Sequence, residues 1–303
     1  MRTSLMLAVL AALLPIAARA QPASHILSAD NLSKVAPHSW VIRGFPNVGI
    51  VVGDKATLVV DTGMGPRNGR IVAGIARSLS PKGQKLYLTT THYHAEHASG
   101  DTGFPPGTVV IRPRGQQAEL EAEGQKLIDM FSARSAEDRD LLKDARITKA
   151  GVLFDDRYSI DLGGVQVQLY WFGAAHTKGD ELILVKPDNV LYSGDVVQNH
   201  TGPNFYCADC TPRSWLTVLD HVAALKPGIV VPDHSAPGGP ELVAQERDFM
   251  ADLDSRARAL KAQGVPVDQA GKLVSQEFAQ KYPDWSGMTH LDPAIAKAYA
   301  ETP

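Results

Sequence analysis

Thr91-His92-Tyr93-His94-Ala95-Glu96-His97-Ala98-Ser99-Gly100 follows directly on the apolar, β-type run Lys85-Leu86-Tyr87-Leu88-Thr89-Thr90. The chain has ten histidines. Three of them fall in this one hexapeptide, next to a carboxylate. A strand that ends in such a cluster delivers its side chains from a stiff support. His92 and His94 are two apart, so both project the same way from an extended strand end. Glu96 and His97 follow a short turn and face a neighbouring position. Imidazole nitrogens with a carboxylate are the donor set zinc takes where it is catalytic. The plainer reading is a polar loop of surface histidines, and clustering this tight beside an acid argues against it.

Working outward, four more polar residues close apolar strands. Asp61 ends Leu58-Val59-Val60. His176 lies in Gly173-Ala174-Ala175-His176-Thr177-Lys178-Gly179-Asp180, past a Tyr170-Trp171 strand. Asp195 ends Tyr192-Ser193-Gly194, and His234 follows Ile229-Val230-Val231-Pro232-Asp233. Any one alone reads as a capped strand end. Together they describe one convergent site built on strand-end loops.

The elements between them are legible. Trp40-Val41-Ile42-Arg43, Val48 to Val52 and Ala56 to Val60 are short β-branched runs separated by Gly, Pro, Asn and Asp, as a meander requires. Arg67 to Leu79 is an amphipathic helix, with Ile71, Val72, Ile75, Ala76 and Leu79 on one face. Thr108 to Ile111 is a strand, and Arg114 to Ala145 is one or two helices whose Met130 and Phe131 are read as core. A second β-rich segment runs from Gly151 to Val196. Helix follows over Thr211 to Leu225, then a short strand, Ile229 to Val231, then a helix from Pro240 to Gln263. Residues Gln21 to Pro37 carry little periodicity and read as a surface wrap. Two β-rich halves, each followed by helix, predict an α/β protein of two packed sheets with helices outside.

The ordered residues Asp61; His92, His94, Glu96 and His97; His176; Asp195; and His234 resemble the metallo-β-lactamase fold superfamily. Its signature is a strand-end Asp, His-x-His-x-Asp-His, a lone His, a lone Asp and a final His. The resemblance covers about residues 40 to 236 and implies a four-layer αβ/βα sandwich with two zinc ions in a groove at one edge. By the same resemblance His92, His94 and His176 hold the first metal, and Glu96, His97 and His234 the second. Asp195 bridges them, and Asp61 orients ligands from behind. Two departures stand out. Glu96 replaces the usual Asp, adding one methylene and one rotor to the second site. Pro232-Asp233-His234-Ser235 replaces Pro-Gly-His-Gly, with Asp233 placed to pair with His234. Tyr93, His200, Asn204, Tyr206 and Trp215 are expected to border the groove. The implied chemistry is hydrolysis by a metal-activated water, with Glu96 and Asp195 at the reacting centre.

Length and composition bound the rest. The 303 residues suit one large α/β domain. Residues 1–20 read as a signal peptide: Arg2, an apolar run from Leu5 to Ile16, and Ala18-Arg19-Ala20 as the cleavage site. The run is too short to span a bilayer, and no Arg-Arg pair marks a twin-arginine signal. A single domain over 21–303, with a helical segment over 240–303, is expected in the periplasm or secreted. Losing Arg2 and Arg19 takes the formal charge from −3 to −5. A mildly acidic chain without a Lys/Arg run does not fit nucleic-acid binding, so the expected partner is a small-molecule substrate. Cys207 and Cys210, the two cysteines, read as a local disulfide in an exported protein.

These observations favour an exported zinc hydrolase of an ester, lactone, thioester, amide or β-lactam. Alternatives are a β-lactamase proper, an iron-dependent oxidoreductase of the same fold, and a non-catalytic metal- or ligand-binding protein. True β-lactamases of the superfamily usually carry Cys or Ser where this chain has Asp195.

Overall fold

The computed structural model describes residues 24–301. The expected leader and its cleavage site lie outside the described residues. The first sheet has seven strands in sequence order: β1 (Leu32–Ala36), β2 (Ser39–Ile42), β3 (Val48–Val52), β4 (Ala56–Val60), β5 (Lys85–Thr89), β6 (Val109–Pro113) and β7 (Val152–Phe154). The first four form an antiparallel meander, and β4 through β7 are parallel. The second sheet has five, in the order β12 (Ile229–Pro232), β11 (Val190–Gly194), β10 (Leu182–Lys186), β9 (Gln166–Tyr170) and β8 (Arg157–Asp161). Only β11 and β12 are parallel in it.

Alternation along β4 explains the layering. Ala56, Leu58 and Val60 face the second sheet and pack with Val167, Leu169, Ile183 and Val185. Val59 faces the other way, onto Val72, Ile75 and Ala76 of helix α1 (Gly65–Leu79). A period of two with both faces covered buries every residue of this strand. The two sheets approach closely where Gly49 lets the Tyr192 ring lie against the backbone, and the Tyr192 hydroxyl donates to Trp40 O (3.0 Å).

Helices cover both outer faces. After α2 (Ala95–Ala98) come α3 (Arg114–Ser132) and α4 (Ala136–Leu142), which pack on Met64 and Tyr93. Helices α5 (Pro212–Leu225) and α6 (Glu241–Ala262) cover the second sheet through Trp215, Val218, Leu219 and Met250. The C-terminal α7 (Val267–Lys281) and α8 (Asp292–Glu301) form a further apolar cluster against α6 around Phe249, Leu253 and Phe278. Among the described residues no helix is long and apolar enough to cross a membrane.

Two sequence readings need correction. The segment before Pro37 is more than a wrap: Leu32–Ala36 is the edge strand β1, and Leu27 is buried against the α1 side of the sheet. The strand has Leu32 before Lys34, adjacent Val35 and Ala36 after it, and a register shift there, so no clean alternation announces it. Met130 and Phe131 are not simply core, as the cavity below shows.

Helix α1 carries two interior glycines with opposite surroundings. A Cβ at Gly69 would collide with the carbonyl of Gly100, at the end of the His-rich segment, whereas one at Gly74 meets nothing. Intrinsic propensity favours alanine at both by about 1 kcal/mol. Gly74→Ala is therefore expected to raise the denaturation midpoint, stabilising by about 0.5–1 kcal/mol. Gly69→Ala is expected to destabilise by about 1–3 kcal/mol because backbone must move, and equilibrium denaturation of the pair checks the opposite signs.

Candidate metal centre

Strand direction gathers the site. β4 and β5 are parallel, β11 and β12 are parallel, and β9 runs with β11 because both are antiparallel to β10. Asp61, His92, His176, Asp195 and His234 each follow the C-terminal end of one of these strands. Glu96 and His97 lie on α2, where His94 is the residue preceding the first turn. All the ligand candidates named from the sequence come together at one edge of the sandwich.

Three imidazoles form one group. His92 Nε2 and His94 Nδ1 are 3.0 Å apart, and His176 Nε2 lies 3.4 Å from His94 Nδ1. Tetrahedral zinc bound to imidazole nitrogens spaces them by about 3.3 Å, so these separations match the edges of one coordination polyhedron. Glu96, His97 and His234 form a second group, with His97 Nε2 3.2 Å from His234 Nε2 and 3.9 Å from Glu96 Oε1. Asp195 stands between: Oδ2 is 3.3 Å from His176 Nε2, and Oδ1 is 3.6 Å from His234 Nε2.

The electrostatics suit cations. Burial, reinforced by the neighbouring histidines, holds His92 and His94 well below the usual imidazole range. Burial takes His176 down to about 4 despite Asp195. These rings are held uncharged at neutral pH, the protonation state a metal needs. Burial pushes Glu96 up to about 7, and its Oε2 is a buried acceptor with no partner among the described residues. Burial also raises the Asp195 carboxyl, but His234 and His176 outweigh it and leave it below the usual carboxylate range. The donor set and spacing fit two divalent cations.

Behind the ligands lies a layer that the sequence showed only in part. Asp61 is fully buried and adopts φ 68°, a left-handed conformation. It is held there by its N–H to Thr89 O (2.9 Å) and by the Thr91 N–H donating to its Oδ1 (2.7 Å). Its Oδ2 is 3.1 Å from His97 Nδ1. Asp233 does not pair with His234 as expected. Its Oδ2 is 3.2 Å from His97 Nδ1 and accepts from Thr91 Oγ1 (2.8 Å). The Pro232-Asp233 turn points that carboxylate inward, leaving His234 Nδ1 without a partner among the described residues. Burial alone would lower His97, yet Asp61 and Asp233 together lift it well above the ordinary range. A carboxylate on Nδ1 fixes the tautomer and turns Nε2 to the ligand side.

His176 is fixed in a similar way. Its Nδ1 is 2.8 Å from Asn204 O, and Tyr206 N–H donates to His176 O (2.9 Å). Asp180 accepts from Ala175 N and Thr177 N, which pins the loop. The Cys207–Cys210 disulfide is present and closes the turn beside it, just before α5. Gln198, unremarked in the sequence, donates to Asp195 Oδ1 (2.7 Å) and accepts from Ser235 Oγ (2.8 Å). An amide three residues after a strand-end Asp carries no distinctive spacing, so only the folded chain shows it.

A cavity of about 240 Å³ opens onto the ligands. Asn204 and Tyr206 line it, as expected. Phe45, Leu127, Met130, Phe131 and Arg134 also line it and were missed as site residues; Phe131 is 3% exposed and Met130 43%. Tyr93 instead touches His94 from behind (5.0 Å between rings) and faces a neighbouring cavity. His200 is not a lining residue: at φ 57° its ring turns to stack on Trp285 (5.5 Å). Trp215 is core, its indole donating to Val196 O (2.9 Å).

Residues 41–234 match the family model of the metallo-beta-lactamase superfamily. Over 261 residues the chain is 24% identical to a linear primary-alkylsulfatase of Pseudomonas sp. (strain ATCC 19151), covering 74% of this chain and 49% of that one. The fold superposes on the inverting sec-alkylsulfatase Pisa1 of Pseudomonas sp. with TM-score 0.69 at 17% identity, over 89% of this chain and 49% of that one. It also superposes on a metallo-beta-lactamase of Pontibacter korlensis with TM-score 0.58 at 19% identity, over 74% of this chain and 99% of that one. The chain thus spans about half the length of the alkylsulfatases it matches.

The two ligand groups should part company in acid. Below about pH 7 Glu96 takes up a proton and His97 holds one, whereas His92, His94 and His176 stay neutral. Ligands must be deprotonated to bind. Lowering the pH from about 8 to about 5.5 is therefore expected to release the metal held by Glu96, His97 and His234 first. Metal stoichiometry after equilibrium dialysis shows this as a step from two ions towards one. Asp61→Ala is expected to weaken metal affinity about 10–100-fold, measured by competition with a chelator.

Proposed function

The chain belongs to the metallo-beta-lactamase superfamily, and from that premise we propose that it is an exported, dinuclear zinc hydrolase of small-molecule esters or related acyl and sulfuryl compounds. The observation that carries this reading is the convergence of seven donor side chains, five of them buried, with nitrogen spacings of 3.0–3.4 Å, beside an open cavity. In this reading His92, His94 and His176 hold one cation, Glu96, His97 and His234 the other, and Asp195 faces both. Bound zinc would supply a Lewis acid and a water of lowered pKa.

The chain's own residues do the rest. Asp61 and Asp233 hold the Nδ1 proton of His97, and Asn204 O holds that of His176. Gln198 sets the rotation of the Asp195 carboxylate. Glu96 Oε2 is the atom assigned to accept the proton of the attacking water, since it lies in the cavity wall without a partner among the described residues. A general base of this kind contributes about 10²–10⁴-fold. No serine or cysteine nucleophile is needed: the cysteines are bonded to each other. The leader-like first twenty residues and that disulfide support export.

The alkylsulfatase likeness puts sulfate esters on the substrate panel beside lactones, carboxylic esters, thioesters and β-lactams. Activity on one of these classes is expected to vanish on removal of metal and to return with zinc. Glu96→Gln is expected to lower kcat about 10²–10⁴-fold. Turnover that survives exhaustive chelation, or zinc-loaded protein inert across the whole panel, would overturn the reading.

A further inference from the structure

Helix α3 ends at the cavity, and what it presents there is chemically uneven. Leu127, Met130 and Phe131 give an apolar wall, continued across the opening by Phe45. Two residues past the end of the helix stands Arg134, in the same lining. Its guanidinium lies 3.4 Å from the centre of the Phe131 ring, so the apolar surface itself positions the charge. Among the described residues no carboxylate pairs with it, whereas Arg112, Arg247, Arg256 and Arg258 each have an acidic partner. His94, Glu96 and Tyr206 lie within reach of its field.

Arg134 is exposed, yet a fixed cation is an unfavourable neighbour for a site that collects divalent cations, because like charges repel. The C-terminal end of a helix tolerates a nearby cation through its dipole. That accounts for an arginine here but not for a guanidinium held in the cavity lining by the Phe131 ring. The missing counter-charge is supplied if the substrate brings it. Arginine is suited to this, since its planar fork takes carboxylate, sulfate or phosphate oxygens two at a time.

We propose that Arg134 is the specificity-determining residue of the cavity and selects an anionic amphiphile, its anion on the guanidinium and its apolar body along Phe45, Leu127, Met130 and Phe131. This rests on the cavity being the substrate site of the hydrolase described above, and it narrows the substrate class.

The test separates the two. Zinc-loaded full chain is titrated with 1-octanesulfonate, an uncleavable anion with an apolar tail, and with 1-octanol, the same tail without the charge. Arg134→Ala is expected to weaken sulfonate binding about tenfold and to leave octanol binding within about twofold. Arg134→Lys should recover part of the loss, and added salt should weaken the wild type more than Arg134→Ala. Equal effects of Arg134→Ala on both probes, or no effect on either, overturn the proposal. Turnover of octyl sulfate and octyl acetate is followed in parallel. Sulfonate binding that depends on Arg134 without any turnover removes the hydrolase reading and leaves anion selection standing. Turnover whose KM ignores Arg134 for both esters removes anion selection alone.

Discussion

Burying ionisable groups is the constraint on which this molecule turns. His92, His94, Glu96, His97 and His176 are each at most 5% exposed, and Asp61 and Asp233 lie beneath them. Each charge taken from water costs several kcal/mol unless it is paired, so such a cluster persists only where its charges balance. Two responses are visible. Where a histidine has no acid against it, burial keeps it neutral and leaves a lone pair free, as at His92 and His94. Where two acids meet, an imidazole and a hydroxyl sit between them, as His97 and Thr91 sit between Asp61 and Asp233. Neutral donors on one side and a compensated anionic floor on the other make a site that gains from taking up divalent cations.

The fold meets this demand with strand ends. Side chains on loops alone would lose their spacing, but Asp61, His92, His176, Asp195 and His234 stand one to six residues beyond the ends of paired strands. Parallel pairing brings the ends of β4 and β5 together in one sheet and those of β11 and β12 in the other. The sandwich then sets the two ends face to face, so that His97 from the first sheet meets His234 from the second at 3.2 Å. The hydrogen bonds of Asn204, Asp180 and Gln198 remove what freedom remains. Longer side chains held this way lose less entropy on binding a ligand.

The cavity wall has a different origin from its floor. The floor is made of strand-end residues, and α3 contributes the wall from the connection between β6 and β7; both lie within the matched residues 41–234. Such connections tolerate change without disturbing the sheets, so the wall can vary while the strand-end side chains keep their places. Glu246, by contrast, lies on α6 beyond the matched residues, yet lines the cavity, and burial pushes it up to about 8.

The strand-end ligands were legible in one dimension because each interrupts an apolar run with a group that has no packing reason to be there. His92, His94, Glu96, His97, His176, Asp195 and His234 stand out on that ground, as does Asp61, and their order identified the family and with it the sandwich. What stayed hidden depends on distance across the fold. Asp233 reads as a partner for its neighbour His234, but the turn sends its carboxylate to His97. His200 reads as a groove residue, but a left-handed backbone turns it onto Trp285. Met130 and Phe131 belong to a helix, with Arg134 just past its end, whose own periodicity says core or solvent and does not place a cavity. Chemistry confined to a short motif, or to a polar residue closing an apolar strand, is determined by the order of residues. Partners separated by tens of positions are decided only once the sheets pack, because packing alone sets which side chains share the same dry space.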